Sequence, residues 1–425
     1  MVSTSAASFR VQAYRIGGYR DGAGRLIWTS PQVKGIRQHA AKLVAATRTV
    51  VAGWIPSLTV STAHWPAGFY LFKLVASSGY QAFVPFTVRS PSTQARVVLV
   101  SPVIDWQAYN TWGGYDLYQA PAGKSRSWAV SFDRPNPPPG ANQFLYNVLP
   151  TVVLAERIGL PLGYQTSVDV AVHPDLLRGA AGYVSMGHDE YWTVPERRYV
   201  TAARDAGTNL AFLSSNTMYW RVRLQVASSG PDRIVVGYKS DASVADPLRY
   251  VDPAQTTARW RDPPHPDPEN SLTGTLYECY PVDAPYRVVS PSWWGFRGTG
   301  ARLGSEFPHL VAQEADRVYP VPSTPRPLQI LSYADYSCGG SPTSAESTYY
   351  TTPSGAGVID FGTQRWTCAL GLRCATLPAK DNMFAREVTT NVLRAFATGP
   401  VGRRYRAQDN VGHFPLPVRN QVPAS

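Results

Sequence analysis

The segment Gly187-His188-Asp189-Glu190-Tyr191-Trp192 sets a proton carrier two residues from a carboxylate. An imidazole exchanges protons near neutral pH, and a carboxylate oxygen is a donor for a hard metal ion. On an extended segment His188 and Glu190 point the same way, whereas on a helix they would not. Gly187 permits a tight turn just ahead of them. The spacing excludes the zincin arrangement, which needs two histidines one helical turn apart with a glutamate between them. Spacing alone leaves two readings open: a site of proton transfer and metal binding, or a packed histidine oriented by an acidic neighbour.

These residues depend on the elements that carry them. Val97-Val98-Leu99-Val100 is a continuous apolar run of the kind buried on both faces of a sheet. A long aromatic loop through Tyr109 and Tyr118 follows, then a helix predicted from Asn142 to Arg157. Thr166-Ser167-Val168-Asp169-Val170 reads as a strand, His173 to Leu177 as a short helical segment, and Gly182 to Met186 as a third strand. Pro195 to Ala206 suits a helix ended by Gly207, and Asn209 to Leu213 a fourth strand. This alternation predicts an α/β, Rossmann-like parallel sheet. Ligands of such sheets bind beyond the carboxyl ends of the strands. Tyr109, His188, Glu190 and Asn216 all fall in or near loops after those ends.

The first hundred residues have a different pattern. Phe9–Tyr14, Tyr70–Leu74 and Ala82–Val88 are short strand-like runs separated by Gly and Ser turns, which predicts an N-terminal immunoglobulin-like β-sandwich. The expected boundaries are 1–92 for the sandwich, 93–405 for the α/β catalytic domain and 406–425 for an irregular tail. Within the second domain, Val235–Lys239, Gln329–Tyr333 and Ala356–Gly362 look like strands. Residues 241–270 read as a Pro- and Asp-rich loop, and Asn382–Ala397 as a closing helix.

Composition narrows the function classes. The chain has 425 residues, 44% of them hydrophobic and 12% aromatic, enough for large cores and aromatic-lined pockets. Its formal charge of +11 comes from dispersed Arg and Lys with no nucleic-acid module, so nucleic acid is not an expected partner. No apolar run approaches the roughly 20 residues that span a bilayer. Met1 to Phe9 has no basic region followed by an apolar core, so the expectation is a cytoplasmic protein without a membrane association. The four cysteines form no CxxC pair; Cys368 and Cys374 are placed either to bridge or to remain buried thiols.

Several segments together carry a family resemblance: Trp106-Gln107-Ala108-Tyr109-Asn110-Thr111-Trp112-Gly113-Gly114, the Gly187–Trp192 segment, Leu213-Ser214-Ser215-Asn216, Gly298-Thr299-Gly300 and Glu314-Ala315-Asp316-Arg317. They span most of the chain, in order, and the chain resembles the C-terminal catalytic portion of the N,N-dimethylformamidase large-subunit family. That resemblance implies an amidohydrolase with mononuclear ferric iron (Fe3+) held by two tyrosinates and a carboxylate. Carried onto this sequence, Glu190 matches the carboxylate and Tyr109 one tyrosinate, while Tyr70, within Gly68-Phe69-Tyr70, matches the other. The resemblance further implies roles around the iron for His188, Asn216, Lys239 and Glu314, with Glu314 the general base and His188 the alternative proton carrier.

Phenolate and carboxylate are the anionic oxygen donors that a trivalent cation prefers. The partner this implies is a small-molecule amide or related metabolite, together with a homo-oligomer or a second, small subunit. The chain lacks the long N-terminal part that precedes this portion in that family, which bears on the size of the substrate. Two other functions fit the same residues: an iron enzyme with non-hydrolytic chemistry on a secondary metabolite, and a binding or assembly protein that keeps the fold. Each site residue also has an ordinary structural use. Tyr109 can wall an aromatic cluster with Trp106 and Trp112, Tyr70 can pack in its strand and Asn216 can cap a turn. Lys239 can be a solvated strand end, and Glu314 can pair with Arg317.

Overall fold

A computed structural model describes residues 1–371, 374 and 377–416. Its centre is a seven-stranded mixed sheet ordered Leu162–Thr166, Val97–Ser101, Gly182–Ser185, Asn209–Phe212, Gly357–Asp360, Ser341–Thr351 and Leu328–Cys338. The first five strands run parallel and the last two antiparallel, so the expected parallel sheet describes only part of it.

Alternate side chains of the central strands bury on opposite faces. Val97, Leu99, Val184, Ala211 and Ile359 join one core with Val152 of helix Leu149–Ile158 and Val388 of helix Ala379–Phe396. Val98, Val100, Leu210, Phe212 and Val358 join a second core with Val200 of helix Val194–Asp205. A sheet covered on both faces explains why its strands read as continuous apolar runs.

The chain leaves Val97–Ser101 for the neighbour on one side, Leu162–Thr166, and then crosses to the neighbour on the other, Gly182–Ser185. Between Val97–Ser101 and Gly182–Ser185 the strand order therefore reverses, and a crevice opens past their carboxyl ends.

Local signals account for the helix boundaries. Thr193 and Glu196 form a capping box that starts helix Val194–Asp205, and Gly207 just beyond its end adopts φ +105°. Thr166 and Asp169 form another, so the strand predicted over Thr166–Val170 is instead the end of strand Leu162–Thr166 followed by helix Ser167–Val172. Residues 173–177 form turns rather than a helix. The predicted Val235–Lys239 strand lies earlier, at Gly230–Val236, and Lys239 begins a 3-10 turn.

The N-terminal region is a five-stranded antiparallel sheet built on Ser8–Tyr19, Gly22–Thr29, Gly68–Ala76 and Gln81–Val88, with Val33–Lys34 added to its first strand. Where a sandwich would carry a second full sheet, residues Lys42–Val44 and Thr49–Val51 make a two-stranded ladder. That segment bonds forward to the α/β region, through Ala52 N–H to the Asp133 carbonyl and Thr49 Oγ1–H to the Ala129 carbonyl. Arg15 adds a second tie, pairing with Glu156 of helix Leu149–Ile158 at 2.8 Å.

Residues 406–416 of the expected tail lie along strand Leu328–Cys338, with Val411 buried and Phe414 stacked on Tyr333; residues 417–425 lie outside the described residues. All four cysteines are paired, Cys279 with Cys338 and Cys368 with Cys374.

Candidate metal and proton-transfer site

At the crevice, strand Val97–Ser101 runs into the short helix Val103–Ala108, which supplies Asp105 and, at its end, Tyr109. Past strand Gly182–Ser185 the chain turns at Gly187, whose φ of +73° suits glycine. A Cβ there would also stand 2.3 Å from the Asn147 Cβ, so the position has neither the conformation nor the space for another residue. The turn delivers His188 and Glu190 to the same crevice, both buried.

The Asp105 carboxylate fixes both of them. Its Oδ1 accepts from His188 Nδ1 at 3.1 Å and from the Glu190 backbone N–H at 3.2 Å. On the other side of the ring, His188 Nε2 meets Glu314 Oε2 at 2.8 Å. Glu314 comes from strand Glu306–Arg317, outside the central sheet. Burial depresses the imidazole's proton affinity, but the flanking Glu314 and Asp105 carboxylates outweigh it and drive the His188 pKa well above its ordinary value. Each ring nitrogen thus faces a carboxylate oxygen.

Three oxygen donors converge beside that pair. Tyr109 Oη–H donates to Glu190 Oε2 at 2.5 Å, Tyr118 Oη–H lies 2.9 Å from both Glu190 oxygens, and the two phenol oxygens stand 3.0 Å apart. Asp116 shapes the turn that presents Tyr118, accepting from its backbone N–H at 2.6 Å. Burial and the adjacent Glu190 charge push both phenols up, and burial also raises Glu190, against the opposing charges of His188 and Lys239. Three acids that resist ionisation next to one another become anions together only around a strong cation.

The spacing fits such an ion. Donors about 2.0–2.1 Å from an octahedral metal stand ~2.9 Å from their neighbours. A second set of ligand atoms within 4.8 Å of one another, from Asp105, His188 and Glu190, overlaps the first. In that set both ring nitrogens and Asp105 Oδ1 are already hydrogen-bonded, while Asp105 Oδ2 is buried without a partner among the described residues.

Two further expected residues border the donors. Asn216 takes the left-handed conformation, φ +56°, and its backbone N–H donates to Asp316 Oδ1 at 2.8 Å. Its side-chain Oδ1 is buried without a hydrogen-bond partner among the described residues. Lys239, also left-handed at φ +59°, places Nζ 3.0 Å from the Tyr118 ring centroid and 3.1 Å from Tyr191 Oη. Burial, opposed by Glu190, brings its pKa down to about 7.

Tyr70 is the residue that the fold does not bring here. It is fully buried in the N-terminal sheet, donating to the Pro66 carbonyl at 2.6 Å and stacked on Trp65 at 5.2 Å. Its hydroxyl is used locally, and Tyr118 is the second tyrosine beside Tyr109 and Glu190. Tyr118 and Asp105 are the two site residues that sequence reasoning missed. Asp105 lies one helical turn before Tyr109, a spacing that brings side chains to one face. For Tyr118 the available signal was weaker: a second tyrosine on the same loop, preceded by a turn-forming aspartate.

A family model described as N,N-dimethylformamidase beta subunit-like, C-terminal, matches residues 10–382. No curated protein matches the chain.

Proposed function

The chain belongs to the N,N-dimethylformamidase beta subunit-like, C-terminal family, and from that premise we propose an iron-dependent hydrolase of the carbon–nitrogen bond of an organic amide. The observation that carries this reading is the convergence of Tyr109, Tyr118 and Glu190 oxygens within 3.0 Å beside the His188–Glu314 pair. Tyr109, Tyr118 and Glu190 would hold ferric iron. When bound, that ion supplies Lewis acidity, which polarises a carbonyl and acidifies water.

The remaining residues manage protons and orientation. Glu314 faces the cavity and takes a proton from the attacking water. His188, gripped on both nitrogens, holds the positive charge that keeps Glu314 in place and returns a proton through it. Asn216 Oδ1, free of protein partners among the described residues, orients the water or the amide N–H, and Lys239 presents positive charge to the phenolate of Tyr118. The balance is that of hydrolysis: water oxygen bonds to the carbonyl carbon, the C–N bond breaks, and one water proton leaves with the amine. The products are a carboxylic acid and an amine. The beta-subunit wording of the family suits a chain that works with a second subunit or with copies of itself.

Amine release from a panel of tertiary and secondary amides tests the reaction. Turnover by the iron-loaded protein should fall by at least 10²-fold in Glu314→Gln with iron content unchanged. Turnover that survives in Glu314→Gln would remove the general base. No amine from any amide at full iron loading would move the reading to non-hydrolytic iron chemistry.

A further inference from the structure

The oxygen donors and the His188–Glu314 pair share a cavity of about 800 Å³ with a second group of lining residues. Pockets of roughly 300–1,000 Å³ hold drug-sized molecules, and a one-carbon amide seated on Glu190 and Glu314 would leave the rest uncovered. Tyr219, Trp220, Tyr277 and Tyr280 line that remainder. Tyr219 meets Trp220 at 5.0 Å and Tyr277 at 5.2 Å, both edge to face, so three of the four rings form one aromatic cluster. Tyr280 is 66% exposed and borders the same cavity.

The wall is built to stay in position. Trp220 N–H donates to the Glu190 carbonyl at 2.8 Å, coupling the aromatic surface to the donor segment. Tyr277 and Tyr280 flank Cys279, whose bridge to Cys338 ties their strand to the edge of the central sheet. Opposite them Gln313, next to Glu314, adopts φ +65°, a strained conformation for glutamine that is retained at the cavity lining. Its side-chain amide offers a donor and an acceptor beside the wall. The lining has the carboxylates of Asp116, Glu190 and Glu314, no Lys or Arg, and His188 with both ring nitrogens already engaged by carboxylates, so an anionic group on the ligand finds no free counter-ion among the lining residues.

We propose that this cavity takes amides carrying an uncharged aromatic group, which packs against the Tyr219–Trp220–Tyr277 cluster with Tyr280 at the rim while the amide reaches Glu190 and Glu314. This rests on the amide-hydrolase reading above but is separable from it, because ring binding and bond cleavage are measured independently. Each aromatic contact of this kind raises affinity by roughly two- to tenfold beyond area burial, so three of them imply a preference of at least about tenfold.

The test uses the iron-loaded full chain with N,N-dimethylformamide, N,N-dimethylbenzamide and the para-carboxylate of the latter. Calorimetric Kd and dimethylamine release are read for each compound. The expected result is a Kd for dimethylbenzamide at least tenfold below that for dimethylformamide and at least tenfold below that for the carboxylate. In Tyr280→Ala the dimethylbenzamide Kd should rise several-fold, and Tyr280→Phe should restore it. Tight binding without amine release would keep the aromatic site and overturn hydrolysis. Amine release with equal Kd values for the two uncharged amides would keep hydrolysis and overturn the aromatic site, as would tighter binding of the carboxylate.

Discussion

Asp105 is the residue on which the site's geometry converges, because one of its oxygens serves both His188 and the Glu190 backbone. A carboxylate behind a histidine fixes its tautomer and ring orientation, and losing such a partner typically costs 10–100-fold in activity or metal affinity. Asp105→Asn keeps the size and one acceptor oxygen but removes the charge that supports the imidazolium. Steady-state assays should show a 10–100-fold loss in kcat with a native circular dichroism spectrum; unchanged kcat would make Asp105 a packing residue only. Tyr70 shows the opposite error. Its type was right for a phenolate donor, but sequence cannot show that the Pro66 carbonyl and the Trp65 ring already engage it. Tyr118 was missed because phenol position along the loop between Ala108 and Ala129 depends on the turn that Asp116 closes, which a period cannot display.

At the scale of elements, the strand–helix alternation from Val97 to Leu213 was legible because both sheet faces are buried, which leaves unbroken apolar runs. That alternation brought His188, Glu190, Tyr109 and Asn216 to the right end of the sheet. Strands Leu328–Cys338 and Ser341–Thr351 form a hairpin closed by Gly339-Gly340, a turn signal that the sequence does offer, whereas the ribbon that carries Glu314 was harder to read, since its register is repeatedly bulged. At Thr166 a capping box was present in sequence but overridden by the β-branched residues around it.

Gly187 is the joint through which the element controls the chemistry. Gly187→Ala places a methyl group into Asn147 and asks alanine for φ +73°. Displacement of His188 and Glu190 by about 1 Å costs on the order of 10²-fold, so kcat should fall at least that far. Near-normal turnover would show that the turn has slack.

Over the whole molecule, buried acids make stability depend on pH. Glu346 lies in strand Ser341–Thr351, with Oε2 accepting from the Val318 N–H at 2.8 Å and Oε1 without a partner among the described residues. Burial, partly offset by the Val318 bond, raises its pKa from 4.5 to about 7. Between those two values the unfolded chain has released the proton while the folded protein still holds it. Stability from this group therefore falls as pH rises through that window and is level above it. Glu346→Gln should be more stable than the parent by up to about 3 kcal/mol at pH 8 and by little at pH 4, read by urea unfolding. An equal difference at both pH values would refute the burial of an ionised Glu346.

The two disulfides also bear on the whole chain. Such bridges persist in oxidising surroundings and are rare in a reducing cytosol, which argues against the cytoplasmic expectation. Among the described residues no helix is long and apolar enough to cross a membrane.

The central claim is that Tyr109, Tyr118 and Glu190, and not Tyr70, form a ferric site. Metal analysis combined with the visible spectrum of purified parent, Tyr118→Phe and Tyr70→Phe proteins tests it most directly. The account predicts one iron per chain with a broad tyrosinate-to-iron absorption in the parent, the same band in Tyr70→Phe, and a lost or shifted band in Tyr118→Phe. An iron-free, colourless parent with an intact fold would contradict it, as would a band that survives Tyr118→Phe unchanged and disappears in Tyr70→Phe.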